Sequence, residues 1–98
     1  MNSTLVSAIS EKRLIEFVYK TARPRIVEPH DYGMRGGVEK LLAFQVSGDS
    51  KSGTPHGWKW FDVADMNQLR VLDQQFAGSR ADASQNHRTW DVLFARVK

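Results

Sequence analysis

The chain has 98 residues, 41% hydrophobic and 26% charged, with a net charge of +3 and no cysteine. One domain of this size buries about 60 to 70% of its unfolded surface, so the composition excludes a disordered chain and requires a compact core, extended by a partner subunit if not complete in itself. The missing cysteines exclude disulfides and thiolate chemistry and fit a cytoplasmic protein; no run reaches the roughly 18 apolar residues of a membrane helix, and no signal-peptide pattern opens the chain.

Residues 3–11 read as a short helix. Asn2 or Ser3 caps it, Leu5, Val6, Ala8 and Ile9 form an apolar stripe, and Lys12 and Arg13 sit at its negative end. The period then changes: Ile15, Phe17 and Tyr19 alternate with Glu16, Val18 and Lys20, which predicts a half-buried strand. A second strand is expected over Arg25 to Glu28, with Pro24 at a position that needs no N–H. Pro29 to Gly33 reads as a break in the sheet, and Gly36-Gly37 as a tight turn.

The clearest strand runs from Lys40 to Ser47, with Leu42, Phe44 and Val46 on one face. Gly48 to Gly57 reads as a polar surface loop. Trp58 to Val63 and Leu69 to Asp73 predict two more strands, with Ala64 to Gln68 between them. The tail alternates at Trp90, Val92 and Phe94. Helical spacing of Trp90, Leu93, Phe94 and Val97 behind an Asn86 cap is preferred, which makes a C-terminal helix that packs onto the sheet or a neighbouring subunit. The expectation is thus a single domain over residues 1–98, mainly β with flanking helices: five short antiparallel strands bent into a barrel, because closure removes exposed edges.

Read in order, these residues resemble a known family. Ile15-Glu16-Phe17-Val18-Tyr19, then Arg25-Ile26-Val27-Glu28-Pro29-His30, is similar to the opening of a WYL domain. The likeness continues through Tyr32-Gly33, Leu41 to Gly48, Gly57-Trp58-Lys59-Trp60-Phe61, Leu69 to Asp73 and Phe76. Gly78-Ser79-Arg80 and Trp90 to Val97 resemble the late elements of short, free-standing members. The resemblance implies an Sm-like, SH3-type bent barrel. It also implies a ligand-sensing role in transcription regulation or phage defence, with nucleotides or single-stranded nucleic acid as ligands. The chain departs from the family pattern at Glu39-Lys40-Leu41, where the naming tripeptide falls, and at Asp65, where relatives often carry Arg.

Catalytic chemistry has little footing. The serines lie outside any nucleophile-elbow pattern, and His30, His56 and His87 lack metal-ligand spacing. Asp62 and Asp65 read as solvated charges rather than an acid–base pair, and Met34 to Val38 as a turn rather than a phosphate loop. The expectation is a non-enzyme without a cofactor or metal.

Binding has more. His30 and Arg35 flank a Gly- and Pro-bearing loop that the resemblance puts near the ligand surface, together with Tyr32. They either donate charge-assisted bonds to phosphate, or His30 satisfies backbone groups while Arg35 is solvated. Lys59 faces away from Trp58 and Trp60 and shares a side with Phe61; it either attracts phosphate beside an aromatic or snorkels over the barrel. Arg23 and Arg25, with Arg13 and Lys20, make either a basic patch or a solvated face. Trp58 and Trp60 are expected to bury against Trp90 rather than stack on bases. The candidate ligand residues are therefore His30, Arg35, Lys59, Arg25 and Tyr32. Two functions follow: a domain sensing an anionic, nucleotide-like or single-stranded nucleic acid ligand, which acts by forming a homo-oligomer or docking on a protein partner, or an Sm-like assembly module with no small ligand. Neither involves a membrane.

Overall fold

The computed structural model describes residues 1–48, 56–80 and 90–98. Helix α1 spans Ser3–Glu11 and carries the expected cap, Asn2 Oδ1 accepting from the Leu5 N–H at 3.1 Å. Leu5, Ala8 and Ile9 are its buried face. Lys12 closes it in the left-handed conformation (φ 55°), its N–H turned back to the Ala8 and Ile9 carbonyls. Among the described residues no helix is long and apolar enough to cross a membrane.

Strand β1 (Arg13–Val18) buries Ile15 and Phe17 and ends earlier than the alternation predicts, because Lys20 turns the chain at φ 58°. Strand β2 (Pro24–Arg35) does not break at Pro29. It runs for 12 residues, with a register shift between Pro29 and Asp31 that leaves His30 unpaired towards its neighbour strand. A bulge is the place where an internal strand tolerates a residue without an N–H, and it bends the strand as it does so. Gly36 and Gly37, at φ 60° and 76°, form the predicted turn into β3 (Val38–Gly48). Two successive positive φ values match the twist of a two-residue hairpin.

Strand β4 (Gly57–Asp62) pairs with β3, a 3-10 turn covers Val63–Asp65, and β5 (Asn67–Gln75) returns to β1. All pairings are antiparallel, in the order β4-β3-β2-β1-β5. The two outermost strands are consecutive in the chain, so the sheet is rolled until its edges approach. No ladder joins β4 to β5 among the described residues, and the expected barrel is not closed.

The second correction concerns the tail. Instead of a C-terminal helix the chain forms a sixth strand, β6 (Val92–Arg96), on β2; the expected cap, Asn86, lies outside the described residues. The reason is the bend in β2. Its first half, Pro24 to Val27, is covered by β1, but beyond the bulge Asp31 to Met34 would present bare N–H and C=O groups on that side. Unpaired buried backbone is costly, and only an extended tail satisfies it. The main-chain bonds continue beyond the strand, from Asp91 N to Met34 O (2.9 Å) and from Val97 N to His30 O (2.8 Å). Gly33 makes the approach feasible, since a Cβ there would meet Val92 O and lie 2.9 Å from the Trp90 ring. The tail does pack as expected at Val97, 4% exposed, and at Phe94, while Leu93 is 40% exposed.

One core fills the rolled sheet beneath α1: Leu5, Ile9, Ile15, Phe17, Tyr32 and Phe61 are its largest apolar members. Phe17, Tyr19 and Phe61 meet edge to face, two of the pairs at 4.9 Å between ring centres, a geometry that adds to their area burial.

Candidate functional site

Alternation along β4 sorts its side chains. Phe61 enters the core, and Lys59 shares its side; Trp58 and Trp60 face outwards, opposite Phe44 and Leu42 of β3. That outer face gathers an aromatic stripe. Phe44 and Trp58 meet at 5.4 Å, and Trp60 meets Trp90 of the tail at 5.4 Å. All four rings are half-buried. Each end of the stripe carries a guanidinium: Arg35 lies 4.7 Å over the Trp60 ring, and Arg80 lies 3.7 Å over Phe44. Arg35 has no carboxylate partner among the described residues, whereas Arg80 is locked in a two-pronged pair with Glu28 at 2.7 and 3.0 Å. Asp91 Oδ2 accepts from the Gly36 N–H at 2.8 Å, so one negative charge lies near the Arg35 end.

His30 is wholly buried behind this stripe. Its ring stands edge-on to Trp58 at 4.7 Å and stacks on Phe76 at 5.5 Å. Nδ1 donates to the Glu28 carbonyl at 2.8 Å, and Nε2 accepts from the Arg80 N–H at 3.4 Å, which assigns the neutral tautomer. Desolvation lowers its pKa below the ordinary histidine value, partly opposed by the Glu28 bond and by the charges of Glu28 and Asp31. With both ring nitrogens engaged, His30 holds the strand bulge, Trp58 and the segment around Arg80 together. It has no free donor for a phosphate.

The other expected residues separate. Tyr32 lies in the core, where its hydroxyl donates to Glu39 and accepts from the Asn2 N–H; burial, then the Glu39 carboxylate, push it up to about 12. Arg25 is 4% exposed; its Nη2 donates to the Tyr19 carbonyl at 2.9 Å, and the guanidinium lies over the Tyr19 and Phe61 rings at 5.3 and 5.7 Å. Lys59 lies close enough to Arg25 that burial and the like charge lower its pKa. Arg25 and Lys59 thus form one cationic pair on the core side, and Arg35 sits across the sheet from them.

Three further cations have acidic partners. Arg13 pairs with Glu11 (3.0 Å), Lys20 with Asp65 (3.9 Å) and Lys40 with Asp62 (2.8 Å). Asp62 and Asp65 therefore have separate cations. His87 lies outside the described residues.

Sequence reasoning missed Phe44, Phe76 and Arg80 as parts of this face. Arg80 is quoted in the family resemblance, but nothing local says that it reaches Phe44, 36 positions away by residue number. Comparison of the chain with protein-family models, with curated proteins and with solved structures finds no match.

Proposed function

We propose that the chain is a non-enzymatic, WYL-like ligand-sensing domain of Sm-like, SH3-type topology, whose aromatic stripe takes a nucleotide or a short single-stranded nucleic acid. The role that goes with it is regulatory, in transcription or phage defence. One observation carries the reading: the exposed Arg35 guanidinium, without a carboxylate partner among the described residues, lies over Trp60, whose ring meets that of Trp90. A cation next to stackable rings pairs phosphate attraction with base stacking, worth about 1–3 kcal/mol per base. The net charge of +3 favours the same ligands. A long strand bent at a bulge and a 3-10 turn between the last two strands of the main sheet path support the SH3-type topology.

The test is fluorescence polarisation with a labelled oligothymidylate at low and physiological salt. Wild type binds at low salt and weakens steeply as salt rises, because phosphate contacts release counterions. Arg35→Glu and Trp60→Leu lose binding, while Lys59→Glu, on the other side of the sheet, retains it. Loss with Lys59→Glu alone would move the site to the Arg25–Lys59 pair. No binding at low salt by a folded wild type would overturn the reading.

A second reading has its own observation. The outer edges of β4 and β5 have no ladder partner among the described residues, and Val71 on β5 is 36% exposed. Open edges invite strand addition between copies. In that case the chain is an assembly module, and native mass spectrometry shows a defined oligomer without a retained ligand.

A further inference from the structure

Helix α1 and strand β6 leave a groove between them of about 330 Å3. Its walls are of two kinds. Val6 and Ile9 of the helix and Ala95 of the strand make an apolar side; Lys12, Arg96 and Lys98 surround it with positive charge, and no Asp or Glu lines it. None of these residues belongs to the aromatic stripe.

One of the three cations, Arg96, is matched by a neighbouring acid; Lys12 and Lys98 are not. Arg96 gives Nε and Nη2 to Asp31, both at 3.0 Å, and Nη1 has no partner among the described residues. Lys12 and Lys98 make no ion pair among the described residues, whereas Arg13, next in the chain, pairs with Glu11. Lys12 stands at a left-handed helix cap, φ 55°, where glycine is the residue least strained. Its ammonium lies beside Gly78, 3.5 Å from where a Cβ would stand. The opposing groups are the Asp31 carboxylate on Arg96, the negative end of α1 and the main-chain oxygen of Lys98, which accepts from the Ser79 N–H at 3.2 Å. With Arg96 taken up by Asp31, the full charges of Lys12 and Lys98 face them. A groove with one greasy wall and a cationic rim suits a ligand with the same division, and its volume is at the small end of ligand pockets, about 300–1,000 Å3.

We propose that this groove binds a small amphiphilic anion, with a carboxylate or phosphate monoester head among Lys12, Arg96 and Lys98 and a short alkyl body along Val6, Ile9 and Ala95. The site is independent of the aromatic stripe. Either head accepts from the two lysine ammoniums and from Nη1 of Arg96, and these charge-assisted bonds supply the orientation.

The test titrates the isotope-labelled full chain with octanoate, octyl phosphate and inorganic phosphate, following backbone amide shifts by NMR. Saturable shifts are expected at Ser10, Lys12 and Ala95 to Lys98 with octanoate or octyl phosphate, and the stronger of the two identifies the head group. Inorganic phosphate binds roughly ten-fold or more weakly, since it lacks the methylenes that bury against the apolar wall. Lys12→Gln with Lys98→Gln weakens octyl phosphate about five-fold or more. Ser10→Trp, a substitution at an exposed position of the helix, blocks the groove with the fold intact by circular dichroism. Arg35→Glu leaves this binding unchanged, which separates the groove from the stripe. The proposal fails if neither octyl ligand gives saturable shifts, if inorganic phosphate binds as well as octyl phosphate, or if the double glutamine variant binds like wild type.

Discussion

At the residue scale the buried imidazole of His30 makes the strongest prediction. Glu28, Asp31 and Arg80 are the charged groups around it, with Trp58 and Phe76 on its faces. Its folded pKa is lowered from 6.5, so below that value the unfolded chain binds a proton that the native protein refuses. Stability therefore falls as pH drops below about 6.5, and the loss ends once the folded pKa is passed. A second proton on Nε2 would also face the Arg80 N–H. Urea midpoints at pH 5 and pH 7 check this: wild type is weaker at pH 5, and His30→Gln is less stable throughout with a smaller difference. An equal pH dependence in the variant would remove His30 from the account. Tyr32 works in the opposite direction. Its pKa, raised to about 12, means that the unfolded chain loses its proton first, so stability declines with rising pH above about 10. Tyr32→Phe reduces that alkaline decline, measured by the same midpoints at pH 9 and pH 11.

At the element scale β6 is the part held by identifiable contacts. The Asp31 carboxylate has 0% exposure and depends on Arg96, whose side chain is 46% exposed. Stranding a buried carboxylate costs about 3–5 kcal/mol, and solvent access on the arginine side lowers the expectation for Arg96→Ala to about 2–3 kcal/mol. Asp31→Asn in the same protein recovers part of it, because an amide left without its arginine costs less than a charge. Chemical denaturation of the single and double variants measures both. Gly33→Ala acts on the same element by another route: its methyl group would enter Val92 O, so β6 must shift, at about 1–3 kcal/mol for overpacking.

At the scale of the whole molecule, α1, β1, β2 and β6 are one unit around the core. Val97 at the end of the tail is 4% exposed in the same cluster as Leu5 and Ile9 of the first helix. Removing everything after Arg80 exposes Asp31 to Met34 of β2 and uncovers Tyr32, so the truncated chain melts markedly lower and is less soluble. A melting temperature equal to that of the full chain would show that β6 contributes nothing to the fold. The same truncation removes Trp90 from Trp60, which links the integrity of the aromatic stripe to that of the tail.

Much of this architecture was legible in local pattern. A cap at Asn2 or Ser3 and the Leu5, Val6, Ala8, Ile9 stripe determined α1, and alternation determined the strands around Ile15, Phe44 and Phe61. Gly36-Gly37 determined the hairpin, and the period of two in β4 put Lys59 with Phe61 and away from both tryptophans. These features depend on neighbours two to four positions away, which the sequence displays directly. What only the tertiary structure decided depends on distant partners. Pro29 stays within β2 because a bulge accommodates it. Trp90 to Val97 carries helical and alternating patterns alike, and the bare edge of β2 selected the extended form. His30, Arg35 and Lys59 all read as cationic or proton-bearing candidates, yet pairing of β2, β3 and β4 buried the first behind Trp58, laid the second on Trp60 and turned the third towards Arg25. Side-chain type is a local property, whereas the face and company of that side chain follow from strand register, which is settled only when the whole sheet forms.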